Sequence, residues 1–137
     1  MTRNNYSWNS NATVVYIDYP LGTGFSYAPS FMNYRFLDSQ LQEDFYIFLE
    51  GIMHNFPKYK GRNLFIAGEG LAGHIIPIVS KYIIAQGNPE IDLTGVAIGN
   101  GWVDPFYQMP AHNQYAIDTG IINAGRGFLL SLGYKLC

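Results

Sequence analysis

Leu64-Phe65-Ile66-Ala67-Gly68-Glu69-Gly70-Leu71-Ala72-Gly73 is an apolar run, then a turn flanked by glycines, then the start of helix-compatible sequence. A buried strand feeding such a turn and a helix is the layout of the G-x-S-x-G nucleophile elbow. There a strained strand-to-helix turn lifts a serine hydroxyl clear of the sheet. Counting forward from Gly68, the first flanking glycine, through Glu69 puts the nucleophile at position 70, and position 70 is glycine. The scaffold that presents a serine is spelled out while its hydroxyl is missing.

Working outward, three short apolar runs read as strands: Thr13 to Asp18, Leu64 to Ala67 and Gly95 to Gly99. None alternates, which predicts strands buried on both faces of a parallel sheet. Between the first two, Leu41, Phe45, Phe48, Leu49, Ile52, Met53 and Phe56 recur on one helical face. Ser39 and Gln42 fit a capping box, and Pro57 marks the stop. A second helix starts in the elbow with the stripe Leu71, Ile75, Ile78, Val79, Tyr82 and Ile83, and ends before Gly87 and Pro89. Pro77 is expected to kink it, crowding the carbonyl of Gly73, whose missing side chain eases packing there. Strand-helix-strand-helix-strand order implies right-handed crossovers and an α/β layered fold. After Asp104-Pro105 the sequence turns aromatic and glycine-punctuated, with two short helices expected around Pro110–Asp118 and Ala124–Lys135.

With 137 residues, 48% hydrophobic and 13% charged, the chain suits one core-rich domain. A net charge of −2 gives no electrostatic reason to expect nucleic acid or an anionic membrane as partner. No run approaches the roughly 18 to 20 apolar residues of a membrane span. Met1 to Ser10 is polar and lacks the apolar stretch of a signal peptide. The lone Cys137 is read as a free thiol or as half of a bridge to something absent from these residues. Asn5 and Asn11 each head an N-x-S/T sequon and are candidate glycosylation sites.

Several further motifs fall in one order and spacing. They are Asn5-Tyr6-Ser7-Trp8-Asn9, Asp18-Tyr19-Pro20-Leu21-Gly22-Thr23-Gly24-Phe25-Ser26-Tyr27, Phe56-Pro57-Lys58-Tyr59-Lys60, Gly68 to His74, Ile76-Pro77, and Gly99-Asn100-Gly101-Trp102-Val103-Asp104-Pro105. In these stretches the chain resembles the serine carboxypeptidases, peptidase family S10, and most closely their vitellogenic-like and lysosomal members. The resemblance implies an α/β fold: part of an α/β-hydrolase core over residues 1–105, with a mostly parallel sheet and flanking helices. Residues 106–137 would open a helical insertion, or cap. It also implies a triad in the order Ser, Asp, His, and an oxyanion hole formed partly by the backbone N–H of Leu71. Glu69 would hold the substrate's terminal carboxylate, acting protonated at acidic pH. The family's triad Asp and His and its upstream oxyanion loop have no counterpart in these 137 residues. The reading is therefore a carboxypeptidase-like segment, inactive as written because Gly70 holds the nucleophile position. The alternative is part of an active enzyme that releases C-terminal residues from peptides at acidic pH. An acyltransferase of the same lineage, or a binding or structural module, ranks below both. The substrate would be a peptide C terminus. The family lives in the secretory pathway, in lysosomes or vacuoles, or outside the cell. The family's strand between Thr13–Asp18 and Leu64–Ala67 is missing too, so a partner or a further segment is expected to complete the sheet, leaving open edges otherwise.

Other residues carry little. Ser26 reads as a loop hydroxyl bonded to backbone, His74 as a helix-packing residue, and His54 and His112 stand apart from any triad pattern. The alternative for Glu69 is a charge meeting the helix dipole. Gly22 and Gly24 follow a strand-like run, but position 27 is Tyr27 and Pro29 forbids the helix a dinucleotide loop needs. No ligand spacing points to a metal, and no cofactor is expected.

Overall fold

The computed structural model describes residues 4–30, 33–34 and 37–136, so Met1 and Cys137 lie outside the described residues. The chain divides into two compact units, residues 1–41 and 42–137.

The first unit holds a 3-10 turn, Trp8–Ser10, and a closed loop from Asp18 to Ser26. The Asp18 carboxylate accepts from the Phe25 N–H at 2.8 Å, and the Gly22 N–H donates to the Ser26 carbonyl at 2.9 Å. Gly24 lies at φ 53, and a Cβ there would collide with the Asp18 carboxylate, so glycine is required on both counts. The Tyr19 hydroxyl reaches the Leu41 carbonyl at 2.5 Å. The strand expected over Thr13–Asp18 does not form: the segment belongs to no ladder, and Val15 and Tyr16 are exposed. A strand is stabilised by hydrogen bonds to a neighbour, and among the described residues none pairs with it.

Helix α1 (Asp38–Asn55) is the strong helix of the sequence. Leu41, Phe45, Leu49 and Met53 are its buried stripe, four residues apart, whereas Phe56 falls beyond its end and is exposed. The expected Ser39–Gln42 capping box is not used. The helix starts earlier, and Gln40 reaches back to the Leu37 N–H at 3.3 Å. In the second unit, β1 (Asn63–Glu69) and β2 (Asp92–Gly99) pair in parallel, joined through α2 (Ala72–Gln86). Ile75, Ile76, Val79 and Ile83 of α2 are buried, as is Ile91 just before β2. Each such side chain contributes on the order of 1.5–3 kcal/mol. α1 lies against α2, with Tyr46 edge-on to Tyr82 at 5.6 Å and the Asn88 amide donating to the Tyr46 hydroxyl.

The sheet departs from the expectation of double burial. Along β1 exposed and half-buried residues alternate, and Phe65 is 64% exposed. Gly68 meets Ala72 and Ile76 of α2 on one face, whereas Phe65 lies over Gly95 on the other. Among the described residues no helix covers that second face, and each strand keeps one edge without a ladder partner.

α2 runs through Pro77 and closes on Gly87 at φ 61. Gly73 is needed for a reason the sequence did not show: a Cβ there would sit 2.6–2.8 Å from the backbone of Gly101 and Trp102. The stripe is also shifted, because Leu71 is 54% exposed and Ile76 is buried in its place. Helices α3 (Pro105–Asp118) and α4 (Ala124–Leu136) form a hairpin. α3 starts five residues earlier than expected, since Asp104 accepts from the Tyr107 N–H and Pro105 occupies the first turn. Among the described residues, no helix is long and apolar enough to cross a membrane.

Candidate active-site elbow

The apex of the β1–α2 turn is Gly70, at φ 62. That left-handed conformation is the strained one an elbow imposes, and glycine takes it with little cost. Three backbone bonds hold the apex. The Gly70 N–H donates to the Gly99 carbonyl at 3.1 Å. The Gly70 carbonyl accepts from the Trp102 N–H at 2.8 Å and from the Gly73 N–H at 2.9 Å. Position 70 is thus tied to its own helix, to the end of β2 and to the segment that leaves β2. A Cβ built at Gly70 meets no heavy atom within 4 Å, so a side chain there would project into open space.

Close backbone approach at this end of the sheet rests on small residues. Gly68 packs on Ala72, and Gly73 packs on Gly101, which in turn lies under Ile98 and Val103. Asn100, with φ 45, is the one non-glycine at positive φ among the described residues, and it supplies the sharp exit from β2. Beyond it, Gln108 of α3 folds back on the turn. Its Oε1 accepts from the Val103 and Asp104 N–H groups, both at 2.8 Å, and its Nε2 donates to the Gly101 carbonyl at 2.9 Å. Asn100-Gly101 was legible as a turn. Gln108 was missed, and the available signal was an amide four residues after a helix-capping Asp.

Around the apex, the expected residues fall as follows. Leu71 opens the helix at φ −59, and no acceptor among the described residues meets its N–H. Glu69 is the last residue of β1 and is exposed, on the same side of the strand as Phe65 and Ala67. α2 begins after Leu71 without a side-chain cap and with no acidic residue in its first turn. A carboxylate, an unengaged N–H and an empty side-chain position therefore stand at consecutive residues. Such a turn can offer hydrogen bonds to a carbonyl or carboxylate, but it holds no nucleophilic oxygen at its apex.

Ser26 lies in the first unit, and its hydroxyl donates to the Asp18 carbonyl at 2.7 Å, the loop role expected of it. His54, His74 and His112 are all exposed. Among the described residues no three His, Cys, Asp or Glu side chains cluster as metal ligands. Asn5 and Asn11 are exposed on turns. The first unit also carries a shallow hollow of about 280 Å³ lined by Asn4, Tyr6, Ser7, Trp8 and Tyr16.

Comparison with known proteins gives one consistent result. The serine carboxypeptidase family profile matches residues 1–127. The chain is 37% identical over 137 residues to a pheromone-processing carboxypeptidase of Chaetomium globosum, covering 97% of this chain and 21% of that protein. It is 39% identical to serine carboxypeptidase S10 family member 1 of Dictyostelium discoideum, covering 90% of this chain and 30% of the relative. Carboxypeptidase Y of Komagataella phaffii is 40% identical over 117 residues, which is 85% of this chain and 22% of that protein. Among solved structures, a prohormone-processing carboxypeptidase from Saccharomyces cerevisiae superposes with a TM-score of 0.67 at 28% identity, covering 78% of this chain and 25% of that one. The chain thus spans between a fifth and a third of the length of these relatives.

Proposed function

This chain belongs to the serine carboxypeptidase family, and on that footing we propose that it is a carboxypeptidase-like segment with no acyl-enzyme chemistry at position 70. Its remaining capacity is recognition of a peptide C terminus, with Glu69, protonated at acidic pH, donating to the terminal carboxylate and the Leu71 N–H donating to the adjacent carbonyl oxygen. The observation that carries the reading is Gly70 at the apex of the elbow with φ 62. Removing the serine from a triad enzyme costs on the order of a million-fold in turnover even with all else in place. Oxyanion donors alone do not recover that factor.

A second reading is favoured by one specific feature. The space beyond Gly70 is open, so a serine is accommodated sterically, and the named relatives are carboxypeptidases. On this reading the parent protein is a peptidase releasing C-terminal residues, and position 70 is the altered residue. Hydrolysis of an N-blocked dipeptide at acidic pH separates the two, measured on the chain and on Gly70→Ser with circular dichroism as the control for folding. The proposal predicts no amino-acid release by the chain at any concentration. Release that scales with the folded chain overturns it, and release by Gly70→Ser alone supports the second reading.

A further inference from the structure

Gln108 stands outside the elbow, on the first turns of α3, yet its side chain makes three hydrogen bonds to the segment that leaves β2. The amide spends both its ends. Oε1 takes the two N–H groups of Val103 and Asp104, and Nε2 takes the carbonyl of Gly101. Those bonds bracket Trp102, whose N–H is the donor that holds the Gly70 carbonyl at 2.8 Å. The same segment is pressed against Gly73, where an added Cβ would lie 2.6–2.8 Å from the backbone of Gly101 and Trp102. Residues 101–104 are therefore clamped from two sides, by the glycine surface of α2 and by the Gln108 amide. Among the described residues they have no ladder partner of their own.

We infer that Gln108 is the positioning residue of the elbow: through the Gly101–Asp104 turn it holds the Trp102 N–H against the Gly70 carbonyl and so sets the orientation of position 70. The inference rests on the reading of position 70 as the apex of the site, but it concerns backbone geometry and needs no activity. An Asn side chain is one methylene too short to span from α3 to the Gly101 carbonyl while keeping both N–H contacts. A Glu keeps the two acceptor bonds and loses the donor. The clamp also links α3 mechanically to the elbow, so a displacement of the α3–α4 hairpin moves position 70 through these four bonds.

The test is amide hydrogen exchange, read residue by residue by NMR on the whole chain and on Gln108→Met and Gln108→Glu. Met preserves volume without hydrogen bonds. Exchange at the Trp102 N–H is expected to accelerate by about five- to tenfold in both variants, the effect of losing roughly one net hydrogen bond. The Tyr107 and Gln108 amides at the start of α3 are expected to loosen in Met but stay protected in Glu, which keeps its acceptor oxygens. Amides of the β1–β2 ladder, such as those of Ile66 and Val96, are expected to be unchanged. Two results overturn the inference. One is unchanged Trp102 exchange in Gln108→Glu, which would make Gln108 only a helix cap. The other is equal acceleration of every amide in both variants, up to loss of the fold, which would make it a general support. Neither depends on whether the chain hydrolyses or binds peptides, so the functional reading stands or falls separately.

Discussion

Replacing Gly73 by Ala is the sharpest perturbation of the elbow that leaves its chemistry alone. Alanine is the better helix former by about 0.8–1 kcal/mol, and position 73 lies in the first turn of α2, so propensity alone predicts a gain. Packing predicts the reverse. The added methyl carbon would lie 2.6 Å from the Trp102 nitrogen, 2.7 Å from the Gly101 Cα and 2.8 Å from its carbonyl carbon. All three are backbone atoms, and that backbone is tied to the Gly70 carbonyl at 2.8 Å and to Gln108 at 2.9 Å. Relief requires the exit from β2 to move away, weakening the Trp102–Gly70 bond. Overpacking of this kind costs about 1–3 kcal/mol, a lost hydrogen bond adds about 1 kcal/mol, and the propensity gain offsets roughly the latter. The net expectation is a loss of about 2 kcal/mol, or about 1 M in urea midpoint for a slope of about 2 kcal/mol/M. Equilibrium urea unfolding followed by tryptophan fluorescence measures it. Gly51→Ala is the matched control: it lies inside α1 with nothing within 4 Å of the new carbon, and it should stabilise by about 0.5–1 kcal/mol. A Gly73→Ala midpoint at or above the parent's would refute the claim that close approach to the Gly101–Trp102 backbone dictates glycine there.

Three further substitutions probe other parts of the account. Asn113→Ala should destabilise by about 1–3 kcal/mol, because its buried amide donates to the Gly127 carbonyl at 2.8 Å and to the Ser131 hydroxyl at 2.6 Å; thermal unfolding by circular dichroism reads this. Lys60→Met should change stability by less than about 0.5 kcal/mol, since the 2.8 Å pair it makes with Glu90 is solvent-exposed on both sides, and a urea titration at two salt concentrations checks it. Gly70→Ser should fold with a cost of about 1 kcal/mol from the positive φ, without the clash that Gly73→Ala meets, which the same urea titration measures.

The elbow was the most legible element because its sequence encodes backbone geometry. A strand, a positive-φ turn and a helix each leave a local mark, and β1, Gly70 and α2 lie where residues 64–86 place them. The stripe of α1 was equally plain, since a spacing of four residues needs only the helix itself. What failed was whatever depends on a neighbour. Thr13–Asp18 has the composition of a strand, yet a strand needs a ladder, and no described segment supplies one. Apolar runs without alternation implied a sheet buried on both faces, whereas among the described residues only the face toward α2 is covered and Phe65 stays exposed. The starts of α1 and α3 slipped because several residues nearby could cap, and the choice of Gln40 and Asp104 depends on which amide faces which N–H. Within the candidate site, Glu69, Gly70 and Leu71 were identifiable from the motif. Gln108 and the role of Gly73 were not, because both act on residues 101–104 through space.

The central claim is that the elbow at residues 68–73 is built as in a serine hydrolase while its apex lacks the nucleophile. Intact-protein mass spectrometry after incubation with a fluorophosphonate probe tests it most directly, because the probe reports a reactive serine without requiring a matched substrate. The account predicts that the folded chain remains at its unmodified mass. A stoichiometric adduct that forms on the folded chain and not on the denatured one, mapped to Ser26 or any other serine, would contradict it.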